Sequence, residues 1–170
     1  YDTYIPQLVE DARAAVDKAV ALGVVDRDRI GVTGHSHGAL MTVNLLAHTT
    51  FFRAGVATSG SYNKTLTPFG FQNERRSVWK ARDVYLKVSP FFSADKIKLP
   101  LLIMHGMADD NVLFTHSTTL FKKLQDLNKP FDIMTYPGSK HGLLRHADTG
   151  LHGYSTIKRF LDTQLDGDAE

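Results

Sequence analysis

The sequence predicts an α/β protein built on a mostly parallel sheet with helices on both faces. Two observations predict it. Short β-prone runs alternate with helical patterns along the whole chain, and the strongest of these runs, "LPLLIMHG" (99 to 106), is apolar at nearly every position, as a strand buried on both faces must be. No internal repeat or low-complexity segment interrupts the alternation.

Taken in order, Ile5, Leu8, Val9, Ala12, Ala15, Val16, Ala19 and Val20 recur at spacings of three and four, which lays one apolar stripe along a helix that Gly23 ends. "DRDRIGVTG" (26 to 34) reads as a buried strand around Ile30 to Thr33, and "GALMTVNLLAH" (38 to 48), apolar on almost all sides, as a buried helix. "AGVATSG" (54 to 60) is a second strand, around Gly55 to Thr58, and "LPLLIMHG" a third, around Leu101 to His105. Residues 61 to 98 are too aromatic for a disordered linker and too broken by Pro68, Gly70 and Pro90 for one helix. Leu120, Phe121, Leu124 and Leu127 mark a helix over Thr115 to Leu127, closed by Pro130; "FDIMTYPG" holds a fourth strand, Phe131 to Tyr136. Leu151, Tyr154, Ile157, Phe160, Leu161 and Leu165 give a last amphipathic helix, so that one domain spans 1 to 165 and a tail 166 to 170.

Composition excludes several functions. With 170 residues, 42% hydrophobic and 22% charged, the chain suits one globular domain. Twenty basic residues against 18 acidic ones give +2 without a basic block, so neither nucleic acid nor an anionic membrane is an expected partner. The absence of cysteine removes disulfides, thiolate metal sites and a thiol nucleophile. No run approaches 18 consecutive apolar residues, so no transmembrane helix is expected.

The residues that carry chemistry begin at "GHSHG" (34 to 38). A G-x-S-x-G pentapeptide between a strand and a helix is a nucleophile elbow: the chain turns so sharply that side chains beside the serine would collide, and the flanking glycines relieve the crowding. The motif arises by chance in roughly one chain of this length in twenty, so its position after "RIGVT" and before "ALMTVNLLAH" is what gives it weight. Ser36 is then the nucleophile. The backbone N–H of His37 is an oxyanion donor at the start of a helix whose dipole favours negative charge. Neighbours on such a turn point apart, so His35 and His37 do not converge on one ion; no H-E-x-x-H pair occurs, and neither a metal nor any other cofactor is expected.

A serine needs a base and the base an orienting carboxylate, in the chain order Ser, Asp or Glu, His. "MADDNV" follows the third strand, which offers Asp109 or Asp110; "SKHG" follows the fourth, which offers His141 as the base. All lie at the carboxyl ends of their strands, on the edge that holds Ser36. His146 and His152 read as surface or helix-start residues. Between Asp109 and Asp110 the chemistry does not choose, since adjacent side chains point apart and only one reaches the imidazole.

"GHSHGALMT", "HGMADDNVLF" and the terminal "KHG" together resemble the catalytic domain of the prolyl oligopeptidase family of serine peptidases, and "TLTPFGFQNERR" is similar to its bacterial and plant branches. The resemblance implies the α/β-hydrolase fold, here the C-terminal half of its sheet, with Ser36 as nucleophile, Asp109 as orienter and His141 as base. By likeness to dipeptidyl-peptidase members it also sets Asn111 and Val112 at the substrate. The implied activity is hydrolysis of short or acylated peptides through an acyl-enzyme on Ser36. A carboxylesterase of the same fold is the alternative, because the triad serves esters and amides alike, and a non-catalytic binding domain that kept the elbow is a third. Tyr62, Phe69 and Trp79 from the aromatic stretch are candidate substrate-pocket residues, with plain core packing as their other role. Family members carry an N-terminal β-propeller and a second oxyanion donor upstream of the elbow, and neither is among these residues. The strand before the elbow would then have a bare outer edge. Residues 1 to 170 are therefore expected to be the C-terminal part of a longer polypeptide whose remainder is its partner, and to be poorly soluble or inactive alone. Self-association into a homo-oligomer is left open, as is the compartment, cytoplasmic or periplasmic and secreted.

Overall fold

A computed structural model describes residues 3–166. Four parallel strands, β1 (Gly31–His35), β2 (Ala54–Thr58), β3 (Leu101–Gly106) and β4 (Phe131–Tyr136), pair as neighbours in chain order. Each connection is a crossover through helical structure, as parallel neighbours require. The helices are α1 (Tyr4–Ala21), α2 (His37–His48), α3 (Arg82–Val88), α4 (Thr115–Asp126) and α5 (Ala147–Leu165).

The period-2 alternation of the strands sorts their side chains into two layers. Ala57, Leu101 and Ile103 pack in one core with Leu8 and Val16 of α1, Ala39, Val43 and Leu46 of α2, and Leu120 and Leu124 of α4. Ala54, Val56, Leu102 and Met104 face the other way and pack with Phe160, Ile157 and Leu161 of α5. Strands β2 and β3 are buried at every position, which explains why they read as continuous apolar runs rather than alternating ones. Each large side chain so buried contributes about 1.5–3 kcal/mol. A third cluster lies outside α2, where Leu40 meets Phe71, Ala81, Val84, Tyr85 and Val88.

The structure departs from the sequence expectations at three places. Strand β1 runs two residues further, through His35, because the Ser36 N–H donates to the Thr58 carbonyl at 2.8 Å and keeps the ladder to β2 closed up to the turn. The aromatic stretch contains the seven-residue α3 and short 3-10 turns at Lys64–Leu66 and Pro90–Lys96; elements this short leave no readable period. Helix α5 starts at Ala147 rather than Leu151, with His146 as its N-cap. Of the expected tail, residues 167–170 lie outside the described residues.

Strand β1 stands at one edge of the sheet with Thr33 and His35 exposed, whereas no residue of β2 or β3 is. Among the described residues no strand pairs with its outer side.

The two glycines of the elbow have unequal roles. A Cβ on Gly34 would stand 2.1 Å from the Gly38 carbonyl oxygen and 2.8 Å from Thr42 Oγ1, so strand and helix meet there backbone to backbone. A Cβ on Gly38 would meet nothing within 4 Å. The expectation that both relieve crowding thus holds within this chain only for Gly34. Gly34→Ala should lower stability by more than about 2 kcal/mol, because backbone atoms cannot swing aside, while Gly38→Ala should stay within about 0.5 kcal/mol. Denaturant melts of the two variants check this order.

Candidate active site

Ser36 occupies the turn itself. It lies between the last residue of β1 and the first of α2 with φ 58° and ψ −116°, a left-handed conformation that a side-chain-bearing residue adopts only when its surroundings impose it. The imposing contacts are the Ser36 N–H to Thr58 carbonyl bond on one side and the close packing at Gly34 on the other. The Ser36 carbonyl accepts from the N–H groups of Ala39 and Leu40, which starts α2. The His37 N–H, at the head of that helix, donates to no group among the described residues. It is one of the donors a helix N-terminus leaves unused, and the helix dipole adds about half a positive charge there.

The flanking histidines diverge. Nδ1 of His35 lies 3.2 Å from Thr58 Oγ1, and its ring sits 4.7 Å from the ring of His141. His37 turns the other way, with Nε2 3.0 Å from the Tyr4 hydroxyl and Nδ1 buried without a partner among the described residues. Burial holds both imidazoles below their usual range, aided by His141 at His35 and by the Lys64 ammonium at His37.

Asp109, in the loop after β3, is only 4% exposed. Its Oδ1 accepts from the N–H groups of Asn111 at 3.0 Å and Val112 at 2.8 Å, and its Oδ2 from Nδ1 of His141 at 2.8 Å. Burial raises the carboxyl, but the bonds from His141, Val112 and Asn111 together outweigh it and hold Asp109 below its ordinary value, so it is ionised. Asp110 points to solvent and pairs with Lys140 at 2.8 Å. Of the two aspartates, Asp109 is the one that touches the His141 imidazole.

His141 follows β4, its side chain 19% exposed. The loop that carries it is fastened where the Ala108 N–H donates to the Ser139 carbonyl and Ser59 Oγ to the His141 carbonyl. The approach depends on Gly106, since a Cβ there would stand 2.3 Å from the Ser139 carbonyl oxygen. Ser36 Oγ makes no hydrogen bond among the described residues. The structure therefore brings His141 onto Asp109 and beside the elbow, without closing the bond to the serine; such bonds are often long until substrate is present.

Two residues that sequence reasoning did not single out complete the arrangement. His105, fully buried at the end of β3, places Nε2 3.1 Å from Asp109 Oδ2 and 2.9 Å from the Val112 carbonyl, and Nδ1 2.6 Å from Ser117 Oγ. Burial keeps it neutral, and a neutral ring between two acceptors carries its proton on Nε2 and accepts from Ser117 on Nδ1. Ser59, at φ 50°, bonds β2 to Met104 of β3 and to the His141 loop. Their only signal in the sequence is position, at or just past the carboxyl ends of β2 and β3.

The candidate substrate residues separate. Tyr62 is 0% exposed and packs in the main core with its hydroxyl on the Ala57 carbonyl, so it is a core residue and not a pocket wall. Phe69 and Trp79 are 80% and 73% exposed and stack on each other with centroids 5.6 Å apart. Asn111 and Val112 hold the Asp109 carboxylate through their backbones, with the Asn111 side chain exposed and Val112 half-buried.

Behind the elbow lies Lys64, 4% exposed. Its ammonium donates to Ser61 Oγ at 2.9 Å and stands 5.2 Å from the Phe71 ring centroid. Burial pushes it down to about 8, and its positive field, after burial itself, helps push His116 down to about 4. The unfolded chain therefore binds a proton between pH 8 and 10.5 that folded Lys64 has shed, so stability rises with pH across that window. Relative to Lys64→Met, the wild type should gain about 2–3 kcal/mol between those limits, read from denaturant unfolding at fixed ionic strength.

Comparison with known proteins identifies the family. The family model described as "Prolyl oligopeptidase family" matches residues 5–168. The chain is 49% identical over 144 residues to "Probable glutamyl endopeptidase, chloroplastic" of Arabidopsis thaliana and 47% identical over 144 residues to the protein of that name in Oryza sativa subsp. japonica. Each match covers 83% of this chain and 15% of the relative. Among solved structures, uncomplexed Pyrococcus horikoshii acylaminoacyl peptidase matches 95% of this chain and 28% of its own with TM-score 0.84 and 26% identity. Porphyromonas gingivalis dipeptidyl peptidase 4 matches 93% and 23% with TM-score 0.82 and 28% identity. The chain thus spans well under a third of the length of these relatives. Its four-stranded parallel sheet is that of an α/β-hydrolase catalytic domain, and the chain belongs to the prolyl oligopeptidase family of serine peptidases.

Proposed function

We propose that this chain hydrolyses peptide bonds through an acyl-enzyme on Ser36, with His141 as base and Asp109 as its orienter. The observation that carries the reading is the short bond from His141 Nδ1 to a buried, ionised Asp109, which leaves Nε2 uncommitted beside the strained strand-to-helix turn that holds Ser36. In the first step Ser36 Oγ attacks the carbonyl carbon of the scissile bond while its proton passes to His141 Nε2. The carbonyl electrons move onto oxygen, where the His37 N–H receives them. Collapse of the tetrahedral intermediate breaks the C–N bond, and the leaving amine takes the proton from His141. Water then repeats the cycle against the acyl-enzyme and restores Ser36.

Asp109 stabilises the imidazolium that forms at each stage, and His105 keeps the shared Oδ2 in place from the other side. Short peptides are the substrate class. From the names of the plant relatives we carry over one further feature, cleavage after a glutamyl residue. The exposed edge of β1 is where further strands of the same polypeptide would pair, and a second oxyanion donor would come from that side.

Ser36→Ala should abolish labelling by a fluorophosphonate probe and reduce turnover by about a millionfold, and His141→Ala should cost a similar factor. Either variant keeping more than about a tenth of wild-type activity would contradict the triad. Asp109→Asn should be far more damaging than Asp110→Asn, since Asp110 forms only a solvent-exposed ion pair with Lys140. Matched amide and ester substrates measured side by side decide whether peptides are the preferred class.

A further inference from the structure

We infer that Lys64 is the counter-ion for an acidic side chain on the substrate, and so the residue that selects which peptide bond Ser36 attacks; this rests on the peptidase reading above. Lysine is almost never fully buried unless paired, because desolvating an ammonium costs several kcal/mol that only an opposite charge or a full set of acceptors offsets. Lys64 is 4% exposed, yet it takes part in no ion pair among the described residues. Its partners are one hydroxyl, Ser61 Oγ, and the face of Phe71, neither of which carries a charge. The buried carboxylates of the neighbourhood are committed elsewhere. Glu74, bridged through its backbone to Phe71, gives both carboxylate oxygens to Arg76. Asp109 is held by His141, His105 and two backbone N–H groups.

The position of the charge is as informative as its isolation. The Phe71 ring under the ammonium packs in one cluster with Leu40 of α2, whose N–H donates to the Ser36 carbonyl, and the Asn63 N–H next in chain to Lys64 donates to His116 Nδ1. These contacts set the ammonium on the elbow side of the chain. His37 adds a second incomplete group, its Nδ1 being buried without a partner among the described residues. The ammonium has a hydroxyl and an aromatic face but no counter-charge. A carboxylate is the group that completes it, accepting from the ammonium and cancelling the charge. Burial makes such recognition selective, since a neutral isostere would leave the ammonium unpaired.

The test uses the full-length protein and matched chromogenic peptide amides carrying Glu or Gln immediately before the scissile bond. The wild type should favour Glu over Gln by at least about tenfold in kcat/KM, and Lys64→Met and Lys64→Gln should each bring that ratio to within about threefold of unity. Lys64→Arg, which retains the charge, should retain a preference for Glu. The two neutral variants guard against one of them failing to fold. Fluorophosphonate labelling in parallel separates the possible failures. A labelled wild type that does not prefer Glu, or a preference that survives both neutral variants, overturns the role of Lys64 and leaves the nucleophile assignment standing. A wild type that does not label overturns the peptidase reading and this inference with it.

Discussion

The close approach of Gly34 to the Gly38 carbonyl is the constraint on which the rest of the molecule depends. It lets a strand of a parallel sheet pass into a helix with no intervening loop, and Ser36 absorbs the whole change of direction at φ 58°. A left-handed residue of this kind costs about 1–3 kcal/mol and persists only where packing over-determines it. Here the packing is the burial of α2, with Ala39, Leu40, Val43 and Leu46 in two cores at once, and the ladder bond from Ser36 to Thr58. The turn sends His35 and His37 to opposite sides and leaves the His37 N–H unused among the described residues.

Around that turn the polar groups are arranged so that each proton has one place to be. Asp109 Oδ2 accepts from two imidazoles, and Oδ1 from two backbone N–H groups, so the carboxylate cannot rotate. His105 is locked in turn by Ser117 and the Val112 carbonyl. The result is an imidazole, that of His141, held at Nδ1 by a carboxylate fixed in place by the network behind it. Preorganisation of this kind is what the proposed chemistry requires.

One buried charge has no opposite charge beside it among the described residues. Lys64 is buried with a hydroxyl and an aromatic face as its partners, while its neighbours His37 and His116 are both driven toward the neutral form. Core stability alone gives no reason for an ammonium in this place, since a hydrophobic residue of similar volume would avoid the desolvation cost. The proposed pairing with an acidic substrate side chain gives it a chemical reason.

By itself the sequence determined the strand and helix order, the parallel sheet and the elbow, because each rests on local pattern: apolar runs, a stripe at spacings of three and four, and glycine where a turn is tight. It also put Ser36, Asp109 or Asp110, and His141 on one edge, since chain order at strand ends translates directly into position. Only the tertiary structure chose Asp109 on geometry, because the choice depends on which carboxylate the loop turns inward. It alone buried Tyr62 and exposed Phe69 and Trp79, three aromatics that composition cannot tell apart. It revealed that Gly34 and not Gly38 is sterically required, and it brought His105, Ser59 and Lys64 beside the site. Those placements arise from contacts between residues distant in the chain, such as Ser59 with His141 and Asp109 with His141. Local propensity has no term for contacts of that kind, and packing does.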